Sequence, residues 1–132
     1  MTSPAPRLVL AVTLGGAAGG TLRHLAEVLA PDRGPDFPWT IFAVNVAGSA
    51  LLALLPALGR VRRSHVLTVA LGPGVLGGFT TMSTASEQTR ALVASGHALV
   101  AAGYVAATLA AALAAVWAVS RLAPPPTKEV ET

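Results

Sequence analysis

From residue 91 to residue 120 the chain runs for 30 residues without an Asp, Glu, Lys or Arg. As a helix that run is about 45 Å long, against a bilayer hydrocarbon core of about 30 Å. Residues 37–59 and 64–86 form two more uncharged runs of 23 residues each, the second with His65 near its edge. A first run is uncharged from residue 8 to residue 22 and continues through Arg23 to about residue 30. Backbone polar groups inside lipid must be paired within the chain, so these runs are expected as helices. The fold class is all-α integral membrane, with four transmembrane helices over about residues 8–30, 37–59, 64–90 and 96–121. Short polar links separate them, at 31–36, at 60–63 and in a tight junction near 90–96. Together they form a single domain over residues 1–123, and Pro124-Pro125-Pro126 opens a segment, 124–132, that reads as a disordered tail.

Composition leaves little room for a soluble alternative. In 132 residues, 53% are hydrophobic and 11% charged, where an ordinary globular domain is about a quarter charged. A chain of this size has too much surface relative to its core to hide that apolar content. The net charge of +3 would suit nucleic acid, but the basic residues bracket the apolar runs instead of forming one face, so no nucleic-acid partner is expected. The absence of cysteine excludes disulfides, thiolate metal sites and cysteine nucleophiles. A signal peptide is the competing reading of the first run; it is disfavoured because helix-forming sequence follows, not a clear cleavage site and a soluble domain.

With four spans, both termini and the second link share one side. That side carries Arg7, Arg60, Arg62, Arg63, Arg121 and Lys128, and the other carries Arg33 and Arg90. Six against two puts both termini in the cytoplasm and predicts one fixed orientation.

The interruptions of the apolar runs carry the functional information. Gly15, Gly16, Gly19 and Gly20 form two overlapping small-xxx-small pairs, the spacing that lets membrane helices approach closely. Asn45 lies well inside the second span. An amide there serves either as glue between helices or as lining of a pathway. Between residues 71 and 86 the third span combines Pro73 and four glycines with five hydroxyl residues, which predicts a break in the helix. Freed carbonyls at membrane depth make cation sites; the alternative is a kinked packing helix with back-bonded hydroxyls. Arg23 and Glu27 stand one turn apart as a local ion pair or interfacial anchor. Tyr104 and Thr108 also stand one turn apart, but Ala112 and Val116 do not continue a polar stripe. No Ser/His/Asp set and no paired carboxylates emerge, so an enzyme is not expected.

These motifs resemble those of the CrcB/Fluc family of bacterial fluoride channels. Gly-Gly-Ala-Ala-Gly-Gly-Thr-Leu-Arg23 is similar to its first-helix signature, and the string from Phe37 through Asn45 to Gly48 and Ser49 to its second. The most specific is Gly77-Gly78-Phe79-Thr80-Thr81-Met82-Ser83-Thr84. The resemblance covers about residues 8–121 with order and spacing intact. It implies a multi-pass protein of the bacterial inner membrane that lets cytoplasmic fluoride leave passively, relieving fluoride toxicity. In this family two four-helix subunits pack antiparallel, each with its third helix broken mid-membrane, and enclose two pores around a central structural sodium ion. By motif position the Na+ ligands are the carbonyls of Gly77 and Thr80. The fluoride pathway falls on Asn45, Met82, Ser83, Thr84, Tyr104 and Thr108, with Arg23 and Gly48 as structural positions.

Two departures bear on assembly. The family usually has Phe-Ser-Thr-Phe where this chain has Met82-Ser83-Thr84-Ala85, so the electropositive ring edges that would face fluoride are missing. The usual acidic residue is Gln88 here, with Glu87 one place early. An antiparallel homodimer also needs nearly balanced flanking charge, which this chain lacks. The resemblance therefore favours a heterodimer with a second CrcB/Fluc subunit over a homodimer, with fluoride and membrane lipid as the other partners. The rival readings are a small four-helix multidrug or cation exchanger, which wants a membrane-buried carboxylate, and a non-conducting structural subunit.

Overall fold

The computed structural model describes residues 5–123; the 124–132 segment, with Lys128, lies outside the described residues. Four helical stretches are long and apolar enough to cross a membrane: Pro6–Leu29, Trp39–Ala57, His65–Ala94 and Ala98–Leu122. Helix α1 (Pro6–Leu29) begins with a proline in its first turn, where the missing N–H has no intrahelical role. Helix α2 (Trp39–Leu54) tightens into a 3-10 turn over Leu55–Ala57, where Pro56 cannot donate to the helical ladder. A short helix α3 (Gly59–Arg62) crosses between the second and third spans.

The third span changes its winding several times. Helix α4 (His65–Val69) is N-capped by Ser64, whose Oγ accepts from the Leu67 amide at 3.3 Å. Ala70–Leu76 is wound as a π-helix around Pro73. A single turn, α5 (Gly77–Phe79), follows. Thr80 (φ −74°, ψ 152°) and Thr81 (φ −149°, ψ 125°) are extended. Helical dihedrals resume in α6 (Met82–Ala94), with the Thr81 hydroxyl accepting from the Thr84 amide at 3.2 Å as its N-cap. Helix α6 continues past Arg90, where the sequence suggested the junction begins, because Arg90 is exposed and paired with Glu87 on the same helix surface. The turn comes at Gly96, whose φ of +84° favours glycine. Helix α7 (Ala98–Leu122) completes the chain.

The spans pack in two pairs. Helix α1 lies along the π-helical segment and α5, while α2 lies along α7, and α6 also packs on α7. The two extended threonines thus carry the third span from the α1 side of the bundle to the α7 side. Gly15 and Gly19 make the first pairing possible: a Cβ at Gly15 would strike the Ala70 carbonyl, and one at Gly19 the backbone of Val75 and Phe79. Gly78 faces the Gly16 carbonyl in the same way. This is the close approach that the small-xxx-small spacing predicts.

The buried core is small. It consists of Ile41, Val44, Val61, Leu76, Leu92, Ala101 and Tyr104, with Asn45 as the buried polar residue. Leu14, Leu29, Leu99, Leu113 and Leu122 are each at least 69% exposed. A surface this apolar suits hydrocarbon, not water.

Candidate functional site

The site is built where α2 meets the extended step of the third span. Asn45, buried on α2, donates from Nδ2 to the Thr81 carbonyl at 3.1 Å and accepts the Thr81 amide on Oδ1 at 2.9 Å. One side chain thereby satisfies the Thr81 amide, which ahead of α6 has no helical acceptor, and adds a second bond to the Thr81 carbonyl that opens that helix. Gly48, one turn along α2, presents no Cβ, and the Thr80 side chain occupies that space.

The consequence for the carbonyls is direct. The Thr81 amide goes to Asn45, so the Gly77 carbonyl loses its i+4 donor. The Thr84 amide goes to the Thr81 hydroxyl, so the Thr80 carbonyl loses its own. Both oxygens retain acceptor capacity at the step. By contrast, the Gly78 carbonyl accepts from Arg23 Nε at 3.5 Å, and Arg23 is also paired with Glu27 at 3.0 Å. Among the described residues no cluster of three or more His, Asp or Glu side chains forms.

Two grooves adjoin this step. One, of about 570 Å³, is lined by Asn45, Gly48, Gly77, Thr80, Met82 and Thr108, among others. The other, of about 380 Å³, lies between α6 and α7 against Met82, Ala85, Tyr104 and Thr108. The structure therefore brings Asn45, Gly77, Thr80, Met82 and Thr108 together, with Tyr104 around the corner. Ser83 and Thr84 line neither groove. The Thr84 hydroxyl accepts from Thr81 at 3.2 Å. Arg23 stands apart, on the α1 side of α5.

A family model described as CrcB-like protein, Camphor Resistance (CrcB), matches residues 10–119. The chain belongs to the CrcB family. It is 42% identical over 112 residues to a Streptomyces coelicolor protein named fluoride-specific ion channel FluC 1, an alignment covering 83% of this chain and 73% of that one. A Chlorobaculum tepidum protein named fluoride-specific ion channel FluC is 41% identical over 117 residues, covering 87% and 93%. A Streptomyces avermitilis protein named fluoride-specific ion channel FluC 2 is 45% identical over 104 residues, covering 77% and 66%.

In this CrcB chain Tyr104 anchors a network that pattern reading did not reveal. Its hydroxyl, on a side chain only 1% exposed, donates to Gln88 Oε1 at 3.0 Å. Gln88 Nε2 donates to Asp32 Oδ2 at 3.2 Å, and Asp32 Oδ1 accepts the Thr40 amide at 3.0 Å. The Phe37 ring stands edge-on to Tyr104, 5.4 Å between centroids at 88°. The network ties the link between the first two spans to α6 and α7, and so fixes the Tyr104 ring beside the second groove. The Thr108 hydroxyl donates back to the Tyr104 carbonyl at 2.7 Å, which leaves its lone pairs, not its proton, facing outward. A threonine just before a helix start is the sequence signal that marks Thr81 as an N-cap.

Proposed function

We propose that this chain is a subunit of a fluoride-specific ion channel and not an enzyme, letting cytoplasmic fluoride leave down its electrochemical gradient. The observation that carries this reading is the Asn45 clamp on Thr81, which presents a polar step inside an otherwise apolar bundle. An amide has two N–H donors. One goes to Thr81, and the second can replace water around an anion in the groove that Asn45 lines. Ser83 carries an exposed hydroxyl with no partner among the described residues, a further donor once a second subunit encloses it. Met82, Tyr104 and Thr108 complete the pathway from the grooves they line, with Thr108 rotating its hydroxyl to serve an anion, and Thr84, which lines neither groove, holds the Thr81 hydroxyl at its edge. The relatives named fluoride-specific ion channels support the same ion.

The Gly77 and Thr80 carbonyls suit a hard monovalent cation such as Na+, four oxygens coming from two subunits. The ion would supply positive charge that offsets the crowded carbonyl dipoles and stabilises the break of the third helix. The assembly is read as an antiparallel dimer in the inner membrane. This chain inserts in one orientation, termini inward, and a partner of opposite bias supplies the aromatic edges that Met82 and Ala85 lack. An exchanger is disfavoured because the carboxylates within the spans, Glu27 and Glu87, are each paired with an arginine. The subunit composition is tested by reconstituting the chain alone and together with a candidate second subunit, then reading fluoride release from liposomes. Release only with the partner is expected; release from the chain alone would contradict the heterodimer.

A further inference from the structure

The hydrogen-bond chain that ends on Tyr104 has a direction. A carboxylate only accepts, whereas a glutamine amide has a donating end and an accepting end. Asp32 Oδ1 is taken by the Thr40 amide at 3.0 Å, and Oδ2 faces the Gln88 side chain at 3.2 Å. Gln88 therefore turns its Nε2 toward Asp32, since two acceptors at that distance would hold no proton between them. Its Oε1 is left for Tyr104, 3.0 Å away, and an amide oxygen has no proton to give. The Tyr104 hydroxyl must donate. Side chains from the link, α6 and α7 thus share one polarity, and the exposed end of the chain is a charged group.

Two contacts hold the phenol in this setting. The Phe37 ring stands edge-on to it, and the Thr108 hydroxyl is committed to the Tyr104 carbonyl, one turn back. Tyr104 lines the groove between α6 and α7 together with Met82 and Thr108. With its proton held by Gln88, its oxygen offers that groove lone pairs, which repel an anion that an O–H would bind. Asp36 lies in the same link and lines the same cavity of about 450 Å³ as Asp32 and Gln88. It takes no part in the chain of bonds from Thr40 to Tyr104.

We propose that Asp32 is a positioning residue for Tyr104: through Gln88 its carboxylate keeps the phenol proton out of the α6–α7 groove and so slows fluoride there. The effect on fluoride rests on the channel reading above; the direction of the bonds does not. Asp32→Asn isolates the effect. It keeps the Oδ1 acceptor for the Thr40 amide and puts a donor where Oδ2 was. Gln88 must then turn Oε1 to that donor and Nε2 to Tyr104, which becomes the acceptor and has its O–H released. Asp36→Asn makes the same change of charge in the same link and leaves the chain of bonds as it is.

The test has two readouts. Tyr104 is the only tyrosine of the chain, so the Raman Fermi doublet of tyrosine in the purified full chain reports this phenol alone; its intensity ratio rises as the oxygen goes from donor to acceptor. Asp32→Asn should raise the ratio, and Asp36→Asn should leave it unchanged. Fluoride release from liposomes holding the conducting assembly should be about threefold or more faster with Asp32→Asn. It should be unchanged with Asp36→Asn, and the gain should vanish when Tyr104→Phe is added to Asp32→Asn. Should Asp32→Asn not fold, Asp32→Ala frees Gln88 to turn and should raise the ratio by a smaller amount. An unchanged doublet in the Asp32 variant would overturn the proposal. So would a gain that Asp36→Asn reproduces or that survives Tyr104→Phe, since either marks surface charge alone. A shifted doublet with no change in release would overturn the effect on fluoride. Absence of fluoride release from every assembly would instead contradict the channel reading, and the doublet would still decide the role of Asp32.

Discussion

Asn45 and Thr81, 36 positions apart, are joined by two hydrogen bonds between one side-chain amide and both backbone groups of one residue. The pair imitates a rung of β-ladder inside a helical membrane protein. It lets the third span leave helical geometry without leaving Thr81 unpaired in an apolar setting, where each lost bond costs about 1–3 kcal/mol. It also decides which carbonyls are released, because the amide that Asn45 captures is the one Gly77 would otherwise receive.

Gly48 and Thr80 form the second contact at this step, and its tightness makes a two-part prediction. A Cβ at Gly48 would overlap the Thr80 Cγ2 methyl, so Gly48→Ala should lower stability by about 1–3 kcal/mol. Adding Thr80→Ser removes that methyl and keeps the hydroxyl, which donates to the Leu76 carbonyl at 2.9 Å. Thermal unfolding of the double variant in detergent should recover most of the loss. Equal instability of single and double variants would mean the contact is not what limits the step.

The α1 glycines divide by the face they occupy. Gly19→Ala should leave little folded protein, because the obstacle is the backbone of Val75 and Phe79 and cannot move aside. Gly16→Ala meets no atom within 4 Å and should be neutral or gain up to about 1 kcal/mol from helix propensity. Monodispersity after purification separates the two outcomes.

Much of this was legible in the sequence. Three of the four spans follow from run length alone, the first from a shorter run that continues through Arg23, and the Gly15 and Gly19 contact from the spacing of small residues, since all depend on local pattern. Asn45 read equally as glue or as pathway lining; in the structure it binds Thr81 and lines the groove together, and only coordinates could show the two at once. The π-helical winding over Ala70–Leu76 was not legible, because Pro73 and its glycines permit several local solutions and packing against α1 selects one. The Tyr104–Gln88–Asp32 network escaped for a different reason: its members come from a link and two helices, and no periodicity connects them.

That network has an asymmetry that can be measured. Tyr104→Phe removes a donor and leaves the Gln88 amide able to reach other partners, so it should cost about 1 kcal/mol. Gln88→Leu strands the Tyr104 hydroxyl in a side chain only 1% exposed and should cost about 1–3 kcal/mol. Chemical unfolding monitored by tryptophan fluorescence should rank Gln88→Leu as the less stable of the two; the reverse order would contradict the hydrogen-bond assignment.

The most direct test of the central claim is anion release from liposomes holding the conducting assembly, compared with the same assembly carrying Asn45→Asp in this chain. Asn45→Asp retains the Oδ1 acceptor for the Thr81 amide but replaces the N–H donors with a second oxygen and adds negative charge. Read with fluoride and chloride electrodes, the unchanged assembly should release fluoride and retain chloride, and the Asn45→Asp assembly should release fluoride at least about tenfold more slowly, a barrier change of about 1.4 kcal/mol or more. Release of chloride as fast as fluoride, or full fluoride release with Asn45→Asp, would contradict the account.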